Sequence, residues 1–210
     1  MDHKKAQARL ARIPLFKPII KAVGPCTLAV MMREPYEALV RAIAHQQVHG
    51  RAAEAMLGRL LALHAAAEFP PPRFILDLPA EALRGCGFSG SKVAAIRDIA
   101  EKSMAGLVPS LAEAAALDDE SLIARLVAIR GVGRWTVEMV LIFTLGREDV
   151  LPVDDFGVRE GYRLAAGLDE QPRPRALAEI GKEWAPYRSI AAWYLWRRAD
   201  MAKKIQPLVI

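Results

Sequence analysis

The chain has 210 residues, 53% hydrophobic and 25% charged, proportions of a folded globular protein rather than a disordered one. Its 29 Lys and Arg against 24 Asp and Glu give a net charge of +5, which permits an anionic partner without demanding one. Two cysteines, Cys26 and Cys86, exclude a disulfide framework and a four-cysteine zinc or iron–sulfur site, and no apolar run reaches the ~18 residues of a membrane span.

Residues 1–15 are basic and amphipathic and lack the apolar centre of a signal peptide, so an interior, reducing compartment is expected. From there the periodicity is helical throughout, and an all-α fold is predicted. A helix is expected over 36–47, with Pro35 in a first-turn position, and a second over 51–66, with Ala53, Met56, Leu57, Leu60 and Leu61 as its apolar stripe. Phe69-Pro70-Pro71-Pro72-Arg73 reads as a stiff turn. A short helix opens at 78–81 and stops at Gly85-Cys86-Gly87. A longer one over 89–105 is capped by Ser89 or Ser91, and a short one follows over 110–116. Asp118-Asp119-Glu120 begins a helix to about residue 128, and another is expected over 135–145. Asp154 or Asp155 caps a helix to about 164, a loop covers 167–174, and the last helices span 175–184 and 187–201, separated by Pro186. The apolar tail 205–210 has room for an extended segment, with no strand ladder to pair it.

The most informative stretch is Leu126-Val127-Ala128-Ile129-Arg130-Gly131-Val132-Gly133-Arg134-Trp135-Thr136. An apolar helix end, Gly-x-Gly and a new helix make a corner in which glycine allows a tight turn and close backbone approach to a ligand. The N–H groups opening the second helix then face outward with the positive end of its dipole, an arrangement that holds a phosphate and reads no base. An ordinary two-helix corner with a glycine cap has the same pattern. About ten helical residues and a short loop later comes Leu151-Pro152-Val153-Asp154-Asp155-Phe156-Gly157.

A helix-hairpin-helix followed by Val-Asp resembles the helix-hairpin-helix Gly/Pro/Asp superfamily of DNA base-excision glycosylases. Three segments narrow the resemblance to its 3-methyladenine DNA glycosylase II branch: Gly133-Arg134-Trp135-Thr136, the run from Trp184-Ala185-Pro186-Tyr187-Arg188-Ser189 to Trp196, and Ile43-Ala44-His45-Gln46-Gln47-Val48. Bifunctional members carry a Schiff-base lysine where this chain has Trp135, and the iron–sulfur branch needs cysteines that this chain lacks. Larger members add an N-terminal β-rich domain, so this chain resembles the compact form.

The resemblance implies one glycosylase core over 1–210 in two helical lobes with the active-site cleft between them. A central lobe over about 36–165 would hold the hairpin (126–145), and segments 1–35 and 166–210 would form the second. It implies a monofunctional enzyme that flips an alkylated purine from double-stranded DNA and hydrolyses its N-glycosidic bond. A bifunctional glycosylase/lyase, a non-catalytic DNA-binding protein and an unrelated all-α scaffold are the alternatives. Asp155 is carried over as the catalytic carboxylate, with Asp154 left as the helix N-cap. Trp135 and Trp196 would stack on the base, attracting a cationic alkylated ring by cation–π interaction. Met139 and Trp193 complete the candidate pocket, although Trp184 and Trp193 also suit a core. Gln47 would fill the hole left by the flipped base, with His49-Gly50 where the family usually has Ser. Gly131, Gly133, Arg134 and Thr136 are candidate DNA contacts, as are Arg130, Lys92 and Arg97, for which a solvated charge is the ordinary reading. Arg188 reads as structural. No cofactor is required; a monovalent cation, Na+ or K+, on the carbonyls of Val127, Ile129 and Gly131 is an optional addition. A monomer without membrane attachment is expected, in the cytoplasm near the nucleoid or in a nucleus.

Overall fold

The computed structural model describes residues 1–66 and 68–202, so the expectation for the tail 205–210 lies outside the described residues. Those described form helices joined by short turns, with no β-strand among them. In chain order the first elements are α1 (His3–Leu10) and α2 (Phe16–Val23), then α3 (Pro35–His45), α4 (Gly50–Ala62), α5 (Pro72–Asp77) and α6 (Ala80–Gly85). There follow α7 (Gly90–Met104), α8 (Leu111–Ala116), α9 (Asp119–Leu126) and α10 (Arg134–Phe143). The last are α11 (Phe156–Ala166), α12 (Pro174–Ile180), a 3-10 turn over Gly181–Trp184, and α13 (Arg188–Ala202), preceded by a cis Ala185–Pro186 peptide.

The chain divides into two compact units. One is Met31–Leu145; the other joins Met1–Val30 to the segment beginning at Gly146. Residues 146–165, expected to group with the hairpin, therefore group with the termini instead.

In the unit Met31–Leu145, α7 lies against α3, α5 and α6, while α10 packs on α3 and α9. Ile43, Leu57, Ile75, Leu83, Ile96 and Leu141 are fully or almost fully buried there. Local signals set the helix starts. Ser89 caps α7 by accepting from the Lys92 N–H, and Ser110 and Glu113 form a reciprocal capping box on α8. α4 ends at Ala62, before the prolines at 70–72 rather than at them. Pro72 starts α5, a helix not expected from the sequence, because proline suits a first helical turn as well as a loop. Likewise α2 was not expected. The single helix predicted over 175–184 is α12 followed by the 3-10 turn.

In the other unit α13 is central, packed by α11, α2 and α1. Every residue from Ser189 to Leu195 is buried, which is what a helix apolar on all sides requires. Glycines let α11 approach it. A Cβ built on Gly161 would lie 2.0 Å from the Leu195 carbonyl oxygen, and one on Gly157 would lie 2.8 Å from Trp196 Cδ1. The start of α13 is pinned as expected for Arg188. Its Nε and Nη2 donate to Asp149 Oδ1 and Oδ2 at 2.8 and 2.9 Å. Next to it, Ser189 Oγ donates to the Arg147 carbonyl at 2.7 Å. Trp184 is wholly buried, edge-on to Phe16 with ring centroids 5.3 Å apart.

Candidate active site and nucleic-acid interface

The hairpin occupies residues 127–133 between α9 and α10. Gly131 adopts φ +77, and a Cβ there would lie 2.8 Å from the Ala95 Cβ of α7, so glycine is required both by conformation and by packing. Asp98, also on α7, accepts the Arg130 N–H at 2.7 Å and fixes the turn from below. Gly133 differs. Its φ is −95 and a Cβ would meet nothing within 4 Å. It is the N-cap of α10 and provides no side-chain cap. The amides of Gly131, Gly133 and Arg134 donate to no group among the described residues. This helix start thus presents open donors and a positive dipole end to the outside.

Beside the hairpin lies the turn between α3 and α4. Gln46 Nε2 donates to the Gly131 carbonyl and to Thr136 Oγ1, each at 3.1 Å. Lys92, buried on α7, donates its Nζ to the Ala44 carbonyl at 2.7 Å, where the cation meets the negative end of α3. Burial pushes the Lys92 amine below its ordinary pKa. Gln47, exposed, takes φ +54, a left-handed conformation that costs a non-glycine residue about 1–2 kcal/mol. His49 then caps α4, its Nδ1 accepting from the Arg51 N–H at 3.3 Å.

Several expected phosphate contacts are placed otherwise. Arg134 pairs with Glu120 and with the nearly buried Glu138, and these carboxylates raise its pKa. The Thr136 side chain is buried and receives Gln46, while its N–H donates to the Gly133 carbonyl, so neither group is turned to an outside ligand. Arg97 donates to the carbonyls of Leu76 and Leu78, and Lys92 is spent on Ala44. Gln46, which the sequence did not single out, ties the turn after α3 to the hairpin. It lies in the Gln-Gln pair, but its partners are 85 and 90 positions away. Trp135 and Met139 sit half-buried one turn apart on α10.

In the unit of the termini, Asp155 is the N-cap of α11, its Oδ1 accepting from the Val158 N–H at 2.8 Å. This corrects the expectation that Asp154 caps and Asp155 does not. Asp154 is exposed, one position too early for the helix. The same Oδ1 accepts from Trp196 Nε1 at 2.7 Å. Gly157 leaves room for that indole; its own Cβ would also come 3.2 Å from Oδ1. Trp196 was expected to offer a stacking face; in addition its N–H holds the carboxylate. Trp193 is not part of this group. It is nearly buried, edge-on to Tyr194 at 5.0 Å, with the Arg197 guanidinium 5.5 Å over its ring. It serves as core rather than pocket.

Two of the three carbonyls expected to hold a cation on the hairpin, those of Ile129 and Gly131, each already accept one hydrogen bond and keep a second lone pair. The Gly131 carbonyl accepts Gln46, and the Ile129 carbonyl accepts the Val132 N–H at 3.1 Å. Among the described residues no cluster of three or more His, Cys, Asp or Glu is arranged to hold a metal.

Comparison with known proteins gives concordant findings. Residues 40–187 match the model of the HhH-GPD superfamily base excision DNA repair protein. The chain is 42% identical over 195 residues to DNA-3-methyladenine glycosylase 1 of Schizosaccharomyces pombe, covering 92% of this chain and 86% of the relative. It is 36% identical to the alkylbase DNA glycosidase-like protein mag2 of the same yeast, covering 98% of each. The solved structure of S. pombe 3-methyladenine DNA glycosylase in complex with abasic DNA superposes with a TM-score of 0.88, over 92% of this chain and 95% of that one.

Proposed function

The chain belongs to the HhH-GPD superfamily of base excision DNA repair proteins, and from that premise we propose that it is a monofunctional DNA glycosylase that releases alkylated purines of the 3-methyladenine type from double-stranded DNA. The observation that carries the reading is the Asp155 carboxylate, fixed at the start of α11 by the Val158 amide and the Trp196 indole.

The chemistry asks for little more. A base inside a duplex is out of reach and must be rotated out, at a cost of a few kcal/mol. Gln47, raised on its strained turn, suits the gap the base leaves. The open amides of Gly131, Gly133 and Arg134 suit a backbone phosphate, and Gly133 has no internal reason to be glycine, which a close external approach would supply. Alkylation at a ring nitrogen makes the base cationic, and Trp135 offers it an indole face. When the C1′–N bond breaks, its electron pair leaves with the base, which becomes neutral. Positive charge develops on the sugar, and Asp155 stabilises it. Water adds to C1′ and loses its proton towards the same carboxylate. Without a lysine at position 135 no Schiff base forms, so strand cleavage is not part of the reaction. No step passes through a cation. Among the described residues no helix is long and apolar enough to cross a membrane, and the chain is taken to act as a monomer in whichever compartment holds the DNA.

The test is mass spectrometry of bases released from methylated duplex DNA by the intact chain and by Asp155→Asn. Release of methylated purines by the former and not the latter is expected. Absence of release by the intact chain would favour a non-catalytic binding protein, and borohydride trapping on an abasic duplex would favour a lyase.

A further inference from the structure

The +5 net charge is not spread over the chain. Residues 1–30 hold six Lys or Arg and a single acid, Asp2, which is a net charge of +5 by themselves; the remaining 180 residues hold 23 basic and 23 acidic residues and are neutral. The acid is occupied, because Asp2 caps α1 by accepting from the Lys5 N–H at 3.0 Å.

The fold keeps these cations outside. Ala6 and Leu10 of α1 and Phe16 and Ile19 of α2 are buried, and both helices pack on α13. Lys4, Lys5, Arg9, Arg12, Lys17 and Lys21 are all exposed. None of the six has an ion-pair partner among the described residues. Elsewhere many of the cations are committed. Arg41 pairs with Glu37, Arg134 with Glu120, Arg163 with Glu160 and Arg188 with Asp149. Arg59, Arg97 and Arg125 donate to backbone carbonyls. Arg134 and Lys92, near the hairpin, hold the protein together, which leaves Arg130 as the exposed cation of the hairpin itself.

We propose that the outward faces of α1 and α2 form a second phosphate-contacting surface, in addition to the hairpin, that adds sequence-independent grip on the DNA backbone. The inference rests on the reading of this chain as a DNA glycosylase. Exposed, unpaired Lys and Arg on a helix surface neutralise phosphates and release condensed counterions, which gives binding that falls steeply with salt and reads no base. An enzyme that searches long DNA for rare damaged bases gains from such a term, since it acts on undamaged duplex as well.

The experiment compares the intact chain with the fourfold variant Lys4→Gln, Lys5→Gln, Lys17→Gln, Lys21→Gln on undamaged duplex over a range of salt. Removing one phosphate-neutralising cation flattens the slope of log affinity against log salt by roughly 0.9, so flattening by about two or more is expected. Single-turnover base release at saturating DNA and the melting temperature should stay as they are. A second fourfold variant, Arg73→Gln, Arg84→Gln, Arg173→Gln, Arg175→Gln, removes the same charge from other exposed positions. It should flatten the slope by less than half as much. Equal flattening by both variants, or none by the first, overturns the proposal. So does charge-dependent binding to phosphatidylserine vesicles that the first variant abolishes while its DNA slope is unchanged. If the intact chain binds and processes DNA but the variants behave alike, only this inference falls. If it binds no duplex at all, the glycosylase reading falls with it.

Discussion

Two helix starts in this protein are finished in opposite ways. At α10 the capping position is Gly133, which has no side chain, and the amides of Gly131, Gly133 and Arg134 are left without an internal acceptor among the described residues. At α11 the cap is Asp155, whose own carboxylate takes the Val158 amide. The first start leaves its donors open to the outside. The second already holds its anion and positions it. A helix N-terminus is therefore finished by its capping residue: one dipole end is left open to an outside anion, while an equivalent one is already occupied by a carboxylate of the chain.

Substitutions can break this contrast in turn. Asp155→Asn should have the largest effect. Asparagine caps as well as aspartate, so melting should change little, while base release should fall by about a thousandfold because a neutral amide cannot stabilise the developing positive charge. A release rate close to that of the intact chain would remove Asp155 from the chemistry. Gly161→Ala comes next. With the Leu195 carbonyl in the way, α11 must be pushed off α13, costing about 3 kcal/mol of stability in a denaturant melt; an unaltered midpoint would mean that the helices are not so closely packed. Trp196→Phe retains a ring and loses the indole N–H. It should lower single-turnover release about tenfold with DNA affinity unchanged, since a hydrogen bond to a charged group contributes about 1.5–3 kcal/mol. If only stacking mattered, release would be preserved. Gly133→Ala should have the smallest effect, a roughly threefold to tenfold reduction of duplex affinity with little change in release at saturating DNA. Alanine caps poorly, at a cost of about 1 kcal/mol, so the melting curve must be measured alongside. Affinity that holds would show that nothing approaches this amide closely.

The residues legible in the sequence are those whose meaning is local. Gly131-Val132-Gly133 followed at helical distance by Asp155 is a pattern of types and spacings along one short stretch of chain, and it was readable. So was the start of α8 at Ser110, whose partner Glu113 lies within the same turn. What could not be read depends on distant partners. Arg134 looked available for phosphate until Glu120 and Glu138 were found around it. Gln46 looked like a bystander to Gln47 until folding brought Gly131 and Thr136 to its amide. The choice between Asp154 and Asp155 as cap turned on one residue of helix register, finer than periodicity resolves. Gly157 and Gly161 carried no visible demand for glycine, since the atoms that exclude a Cβ belong to Trp196 and Leu195 of α13, far along the chain.

The burial of α13 also bears on how this protein opens. With Ser189 to Leu195 enclosed on every side, the amide hydrogens at the middle of that helix should exchange with solvent deuterium only when its whole unit unfolds, whereas those in the first turn of α10 should exchange through small local fluctuations. Trp196 extends directly from the protected stretch and grips Asp155. The aspartate is thus referenced to the slowest-opening part of its unit, and its geometry should persist through local fluctuations elsewhere in the chain.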